Sequence, residues 1–202
     1  MALRKIRRHD ISIDMAAMCD VAFILLAFFI LISRSVRLNS IVEINTPRIR
    51  HHFIADPESD IGTILIKDNK VFFKLDEPAL QKQMLMSMAL KYNIHFTNAE
   101  INKFSEMNGF GGPITELKTL IQSYGTLEQK QYPLKGIPID NSKNNEFYNW
   151  VKQAREICRM QTEKELRFVI NGDEAETYPI IKLVIANLQL QDINKFSLLV
   201  RF

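Results

Sequence analysis

A single membrane-spanning helix followed by a small α+β domain is the architecture this sequence predicts, and three observations carry it. Between Met15 and Ile32 nothing is charged or strongly polar except Asp20. About 170 residues follow, enough for one hydrophobic core. Within them strand-like alternation and helix-period runs are interspersed, the mixed order of a small sheet with helices packed on it.

The apolar run is 18 residues long, or about 27 Å as a helix against a hydrocarbon core of ~30 Å. Including the outer turn, whose polar groups can sit among lipid headgroups, the span covers residues 12–33. Arg4, Lys5, Arg7 and Arg8 precede it, whereas Arg34 and Arg37 follow. That excess keeps residues 1–11 as a cytoplasmic tail and sends the rest across. A secretory signal peptide shares the basic start, with Val21 to Ile32 as its apolar core and Ser33-Arg34-Ser35 as a cleavage site. On that alternative the product is a secreted binding module. Asp20 argues against it, because an acid at the head of the core aids neither targeting nor cleavage.

An ionisable group in such a segment costs at least ~2.5 kcal/mol at the bilayer centre, which makes Asp20 a functional-site candidate. Ala16, Ala27, Ile24 and Leu31 fall within about 40° of it on a helical wheel. Two of the four are alanines, so a partner helix can approach the carboxylate closely. The sequence offers no second membrane segment, and other subunits must complete any pathway. Asp14 lies near the cytoplasmic boundary and reads as a solvated helix-start residue.

Residues 34–60 read as a linker with one short strand, since Pro47, Pro57 and the polar run Arg48 to His52 disfavour a helix. Thr63–Ile66 and Val71–Lys74 form a hairpin around Asp68-Asn69. Asp76 caps a helix with Pro78 in its first turn, and Met84 to Leu90 supplies core. Thr97 to Glu100 is a capping box for a helix reaching about Met107. Pro113 to Tyr124 is a further helix, stopped by Gly125. After a loop from Pro133 to Lys143, Asn144 to Met160 is amphipathic through Phe147, Trp150, Val151, Ala154 and Cys158. Leu166–Ile170 is a strand, Pro179–Leu190 a helix, and Phe196–Arg201 the last strand.

The run Ile13-Asp14-Met15-Ala16-Ala17-Met18-Cys19-Asp20-Val21, followed by aliphatics, resembles the membrane helix of the ExbD/TolR family. Asp20 falls on that family's essential aspartate and Asp14 on its upstream Asp/Asn. Ala16-Ala17 stands where Thr-Pro is usual, which removes a helix-bending proline and a hydroxyl beside the proton path. Ile41 to Pro47, the Ile61–Phe73 hairpin, Glu165 to Leu190 and Ser197 to Phe202 are similar to the family's later blocks, in the same order. Glu77 to Asn144 has no counterpart, so the domain at 61–202 reads as the family's ββαβαβ-like fold with a helical insertion over about 77–144, a candidate partner-docking surface.

The resemblance implies a subunit of a proton-driven motor in the Gram-negative inner membrane, with residues 34–202 periplasmic. Asp20 is then the proton carrier, with protons as coupling ion and no cofactor. The implied partners are the lipid bilayer, an ExbB-like (MotA/TolQ-type) membrane ring, a second copy of the chain and a TonB-like periplasm-spanning protein. The output is energised outer-membrane transport, without bond-making catalysis. A TolR-like subunit that binds cell wall is the alternative within the family. Ile41, Val42, Glu43 and Ile44 are either an ordinary strand or, as the family implies, a segment that pairs with a partner in one state of the complex.

Other chemistry finds little support. Net charge is +3 with no basic patch interleaved with aromatics, which argues against nucleic acid as a partner. Gly109-Phe-Gly-Gly-Pro113 lacks the Lys-Ser/Thr of a phosphate loop and reads as a turn. His51-His52 has no third ligand at metal spacing. Asp173 to Glu176 reads as a solvated turn, and Tyr178 as a packing residue. Cys19 and Cys158 lie too far apart in the chain's organisation to staple the domain.

Overall fold

A computed structural model describes residues 15–32, 61–125, 134–172 and 178–200. The chain divides into two units, Met1–Leu38 and Asn39–Phe202. In the first, helix α1 runs Met15–Ile32. It contains neither Gly nor Pro, so nothing interrupts its backbone ladder. The Ile41–Ile44 strand, His51-His52 and the Asp173–Glu176 turn lie outside the described residues.

The second unit is built on a hairpin. Strand β1 (Ile61–Lys67) pairs antiparallel with β2 (Lys70–Leu75), Lys67 opposite Lys70. Asp68 and Asn69 sit between them at φ 53° and 58°. Two consecutive positive φ values are the pattern of a type I′ turn, which Asp and Asn tolerate. Gly62, Ile64 and Ile66 of β1 are buried in strict alternation, which marks one face as the core side.

Helix α2 (Pro78–Tyr92) starts one residue later than the sequence suggests. Glu77 is its N-cap, without a side-chain capping bond. Asp76 instead holds Lys74 at 2.8 Å, because its position on the strand exit turns the carboxylate toward that side chain rather than the helix amides. Pro78 occupies the first turn, where its missing N–H costs nothing. Asn93 ends the helix in the left-handed region at φ 55°. The Met84–Leu90 run is only half core: Met84, Leu85 and Met88 are buried, while Met86 and Leu90 face solvent. Seven consecutive residues of a helix must cover both faces.

Helix α3 (Asn98–Glu106) opens on the capping box. Thr97 Oγ1 accepts from the Glu100 amide at 3.3 Å, and Glu100 Oε2 accepts from the Thr97 amide at 2.9 Å. Helix α4 (Leu117–Ser123) is shorter than the Pro113–Tyr124 run, because Ile114–Glu116 form turns. Gly125 follows at φ 77° and stops it. Helix α5 (Glu146–Thr162) is capped by Asn145, whose Oδ1 accepts from the Tyr148 amide at 2.7 Å. All five of its expected core residues are buried.

Strand β3 (Arg167–Gly172), helix α6 (Tyr178–Gln189) and strand β4 (Phe196–Val200) complete the domain. Sheet order is β2-β1-β3-β4, with β1–β3 and β3–β4 parallel. This is the mixed α+β sheet expected, in the ββαβαβ order once α2–α4 are set aside. Tyr178 is 73 % exposed rather than buried in packing, contrary to the expectation. At the first position of α6 its side chain projects before the buried Ile181–Val184–Leu188 stripe begins.

The helical insertion is not an appendage. Rings connect it to the sheet: Phe104 lies 5.0 Å from Phe110, Phe110 4.6 Å from Trp150 of α5, and Phe110 6.1 Å from Phe73 of β2. Phe73 in turn stacks at 6.5 Å on Phe168 of β3. Gln81, fully buried on α2, donates to the Phe104 and Met107 carbonyls at 2.6 and 3.0 Å and so locks the end of α3. Asn187 of α6 donates to the Asp140 carbonyl at 2.8 Å and accepts from Asn145 at 2.7 Å, tying the loop before α5 to α6.

Candidate functional site

Asp20 is the one charged residue of α1. Its side chain is exposed, as are Ile24 one turn on and the large apolar residues Met18, Val21, Phe23, Leu25, Leu26, Phe28, Phe29 and Ile30. Ala27, two turns from Asp20 on the same side, is half-buried. Ala16 and Leu31 belong to the helical backbone, which keeps them on the Asp20 side by period, but their side chains lie outside the description. A helix apolar all round needs an apolar surrounding. Each large side chain left in water forgoes about 1.5–3 kcal/mol.

Among the described residues no helix is long and apolar enough to cross a membrane. The 18 residues of α1 make about 27 Å, and the flanking positions 12–14 and 33 that the sequence adds to the span lie outside the description. Among the described residues no group of three His, Cys, Asp or Glu could hold a metal ion.

The glycine-rich segment does something the sequence did not announce. Phe110 exchanges two backbone bonds with Phe73, both 2.9 Å, and so pairs with β2 on its outer side. Gly111 lies against the Phe72 ring so closely that an added Cβ would stand 2.0 Å from it. Only glycine fits there. Farther along, the Ile137 amide donates to the Val71 carbonyl at 2.7 Å. Two loops of the insertion therefore close the outer edge of β2. One bonded residue in each loop leaves no periodic pattern, and no sequence signal could have found them.

Electrostatics in the domain is local. The Thr97 amide holds the Glu100 carboxyl below the usual carboxylate range against the opposing effect of burial, helped by Gln122, the Thr97 hydroxyl and Lys118. At Glu146 burial pushes the carboxyl up, opposed by the Ile114 amide that donates to it at 2.8 Å. The two act in opposite senses. A depressed folded-state pKa gives stability present above the unfolded value and lost as pH falls through the folded one. The raised Glu146 gives stability present below its unfolded value and lost as pH rises through its folded value. Glu100→Gln keeps a capping-box residue but removes the titration. It is expected to flatten the fall of Tm of the detergent-solubilised chain below about pH 5. Parallel Tm–pH curves for the two chains would refute the assignment.

Cys158 is buried, with its thiol 3.5 Å from Thr162 Oγ1 and 3.6 Å from the Lys164 carbonyl. Its role is packing. Within the described residues the candidates thus reduce to a carboxylate on an apolar helix and a sheet domain with one edge closed.

No curated protein and no solved structure matches the chain. Residues 7–201, nearly its whole length, match the family described as biopolymer transport protein ExbD/TolR. The match covers well over half of the chain, and the chain belongs to the ExbD/TolR family.

Proposed function

We propose that this chain is the ExbD-like subunit of a proton-driven motor in the Gram-negative inner membrane, energising TonB-dependent transport across the outer membrane. The observation that carries the reading is Asp20, a single carboxylate on a helix whose other described side chains offer no charge. Family membership supports transport as the general role.

In this reading the span covers residues 12–33, with the tail 1–11 cytoplasmic and the sheet domain periplasmic. Two copies of the helix lie within a ring of ExbB-like (MotA/TolQ-type) subunits. The ring supplies the surrounding that the exposed apolar side chains of α1 require. Asp20 takes a proton from the periplasmic side, and as a neutral acid it loses most of its penalty for apolar contact. It crosses the ring interior and releases the proton toward the cytoplasm. Each proton brings about 2.3 kcal/mol per 100 mV. Ala27 and Ala16 allow the ring helices to approach the carboxylate, and Ile24 and Leu31 seal the same face against water. Charging and discharging one group changes which ring position the helix prefers, and the periplasmic domain passes the motion to a TonB-like protein. Ile41–Ile44 serves as the strand that pairs with a partner in one state. No bond-making catalysis and no cofactor are involved.

Purification of the full chain in mild detergent tests the assembly. An ExbB-like ring should accompany it at fixed stoichiometry, together with a second copy of the chain. Recovery of the chain alone under conditions that preserve known membrane rings would overturn the reading. A Tol-type partner in place of a TonB-like one would redirect it to envelope maintenance.

A further inference from the structure

We infer that the exposed side of α2 and the groove beside it are a docking site for an acidic amphipathic helix of a partner protein. Ala79, Gln83, Met86 and Leu90 follow one another at intervals of four, three and four residues, the spacing of a seam that a second helix covers. All four are exposed. Met86 and Leu90 are apolar and yet 49 % and 85 % exposed. Beside them lies an open groove of about 230 Å³, whose other walls include Ile94, Phe96 and Ile101. Those three are half-buried and rest on the core, which holds the groove in shape.

The walls fix the form of the occupant. They are α2, the irregular stretch that follows it and the first turn of α3, with no strand edge among them. An extended peptide would find no ladder here for its amides and carbonyls, whereas a helix bonds its own and needs only side-chain anchors. The volume is below the ~300–1,000 Å³ of small-molecule pockets. It suits the apolar anchors of a larger partner.

Charge selects the occupant's chemistry. From Pro78 to Ala99 the chain holds Lys82, Lys91 and His95 but neither Asp nor Glu. Lys82 stands one turn before Met86 and makes no ion pair among the described residues. Lys91 donates to Asn149 Oδ1 at 2.5 Å, a neutral partner that leaves its charge in place. By helical period the two lysines lie on opposite flanks of Leu90. The bordering acids are distant or engaged. Glu77 is at the far end of α2 as its N-cap, Glu100 is held by its capping box and Gln122, and Glu156 of α5 lies 3.8 Å from Lys152. Carboxylates flanking the partner's apolar stripe would meet cations on both sides. A second copy would bring lysine to lysine, and a concave groove fits a helix better than a flat bilayer. This surface belongs to the insertion and rests neither on Asp20 nor on the motor reading.

The test uses the full chain in phosphatidylcholine nanodiscs and three fluorescent peptides. The first is three repeats of Glu-Leu-Ala-Ala-Leu-Glu-Ala, which sets Glu on both flanks of a leucine stripe. The second carries Lys for every Glu, and the third has proline in its middle repeat. Binding is read by anisotropy against empty nanodiscs, and its place by amide hydrogen exchange. The Glu peptide should bind saturably and slow exchange around residues 86–101 while leaving β3 unchanged. The Lys and proline peptides should each bind at least about tenfold more weakly, as should the Glu peptide to Leu90→Glu. Lys82→Glu should weaken the Glu peptide and strengthen the Lys peptide. Both positions are on the surface side of α2, so the variants should fold, which unchanged α5 exchange will verify. No saturable binding of the Glu peptide, or no loss on Leu90→Glu, overturns the site. Equal binding of the Glu and Lys peptides overturns the charge selection, and equal binding of the proline peptide overturns the helix. Protection of 86–101 without peptide overturns the proposal in two further ways. If it rises with chain concentration the occupant is a second copy, and if it appears in phosphatidylglycerol nanodiscs the occupant is the bilayer. Asp20→Asn should bind the Glu peptide normally, so failure here and failure of the motor reading are separable.

Discussion

On the proposed motor reading, asparagine at position 20 is expected to abolish energised uptake while the chain still inserts and co-purifies with an ExbB-like ring. Asn matches Asp in size and cannot titrate. It therefore preserves packing on the face of Ala27 and Ile24 but removes the only charged group of α1. Without a group that alternates between neutral and charged, the ring position of the helix no longer depends on protons. The expected loss is complete rather than graded, since Met15–Ile32 holds no other carboxylate to substitute. Asp20→Glu keeps titration with one more methylene and should retain part of the activity. Uptake is measured in cells lacking the native chain, with co-purification of the ring as the control for assembly. Full uptake by Asp20→Asn would remove Asp20 as the proton carrier. Loss of the ring in the same variant would make its role one of assembly.

Deleting residues 77–144 and joining the ends is expected to destroy cooperative folding of the sheet domain. Twelve of the thirty buried apolar residues in the core cluster come from this stretch, among them Leu80, Met84, Phe104, Phe110 and Leu117. A single large-to-small change in such a core costs about 2–5 kcal/mol, against a total stability of about 5–15 kcal/mol. The deletion also strips the cover from Trp150 and Phe73 and reopens the β2 edge. Thermal unfolding followed by near-ultraviolet circular dichroism should show no cooperative transition. A truncated chain that unfolds cooperatively within a few degrees of the intact one would mean that the ββαβαβ elements suffice. Loss of uptake after this deletion is consequently no measure of partner docking on the insertion. The docking role that the sequence suggests therefore needs substitutions on the insertion's exposed surface, which leave its core residues in place.

Much of the local architecture was legible because its causes are local. Asp68-Asn69 makes the hairpin turn, Thr97 and Glu100 cap α3, and the apolar stripe from Phe147 to Cys158 sets α5. Each depends on residues within one or two turns of one another. The errors were local too, and each came from a competitor that sequence does not rank. Asp76 went to Lys74 instead of the helix amides. The first residues of the Pro113 run formed turns, with the Glu146 carboxylate taking the Ile114 amide. Tyr178 was left in solvent by the phase of α6.

The candidate site divides in the same way. Asp20 and the residues beside it follow from helical period alone, because α1 is continuous from Met15 to Ile32 and period is all that placement on its face requires. An apolar helix with one carboxylate, in family order with the blocks behind it, was determined by the sequence by itself. Only the tertiary structure decided that the insertion belongs to the core and that Phe110 and Ile137 close one edge of the sheet. The edge closure rests on backbone hydrogen bonds between residues 37 and 66 positions apart in the chain. Any backbone amide can make such bonds, so the sequence carries no mark of them until the fold brings the partners together.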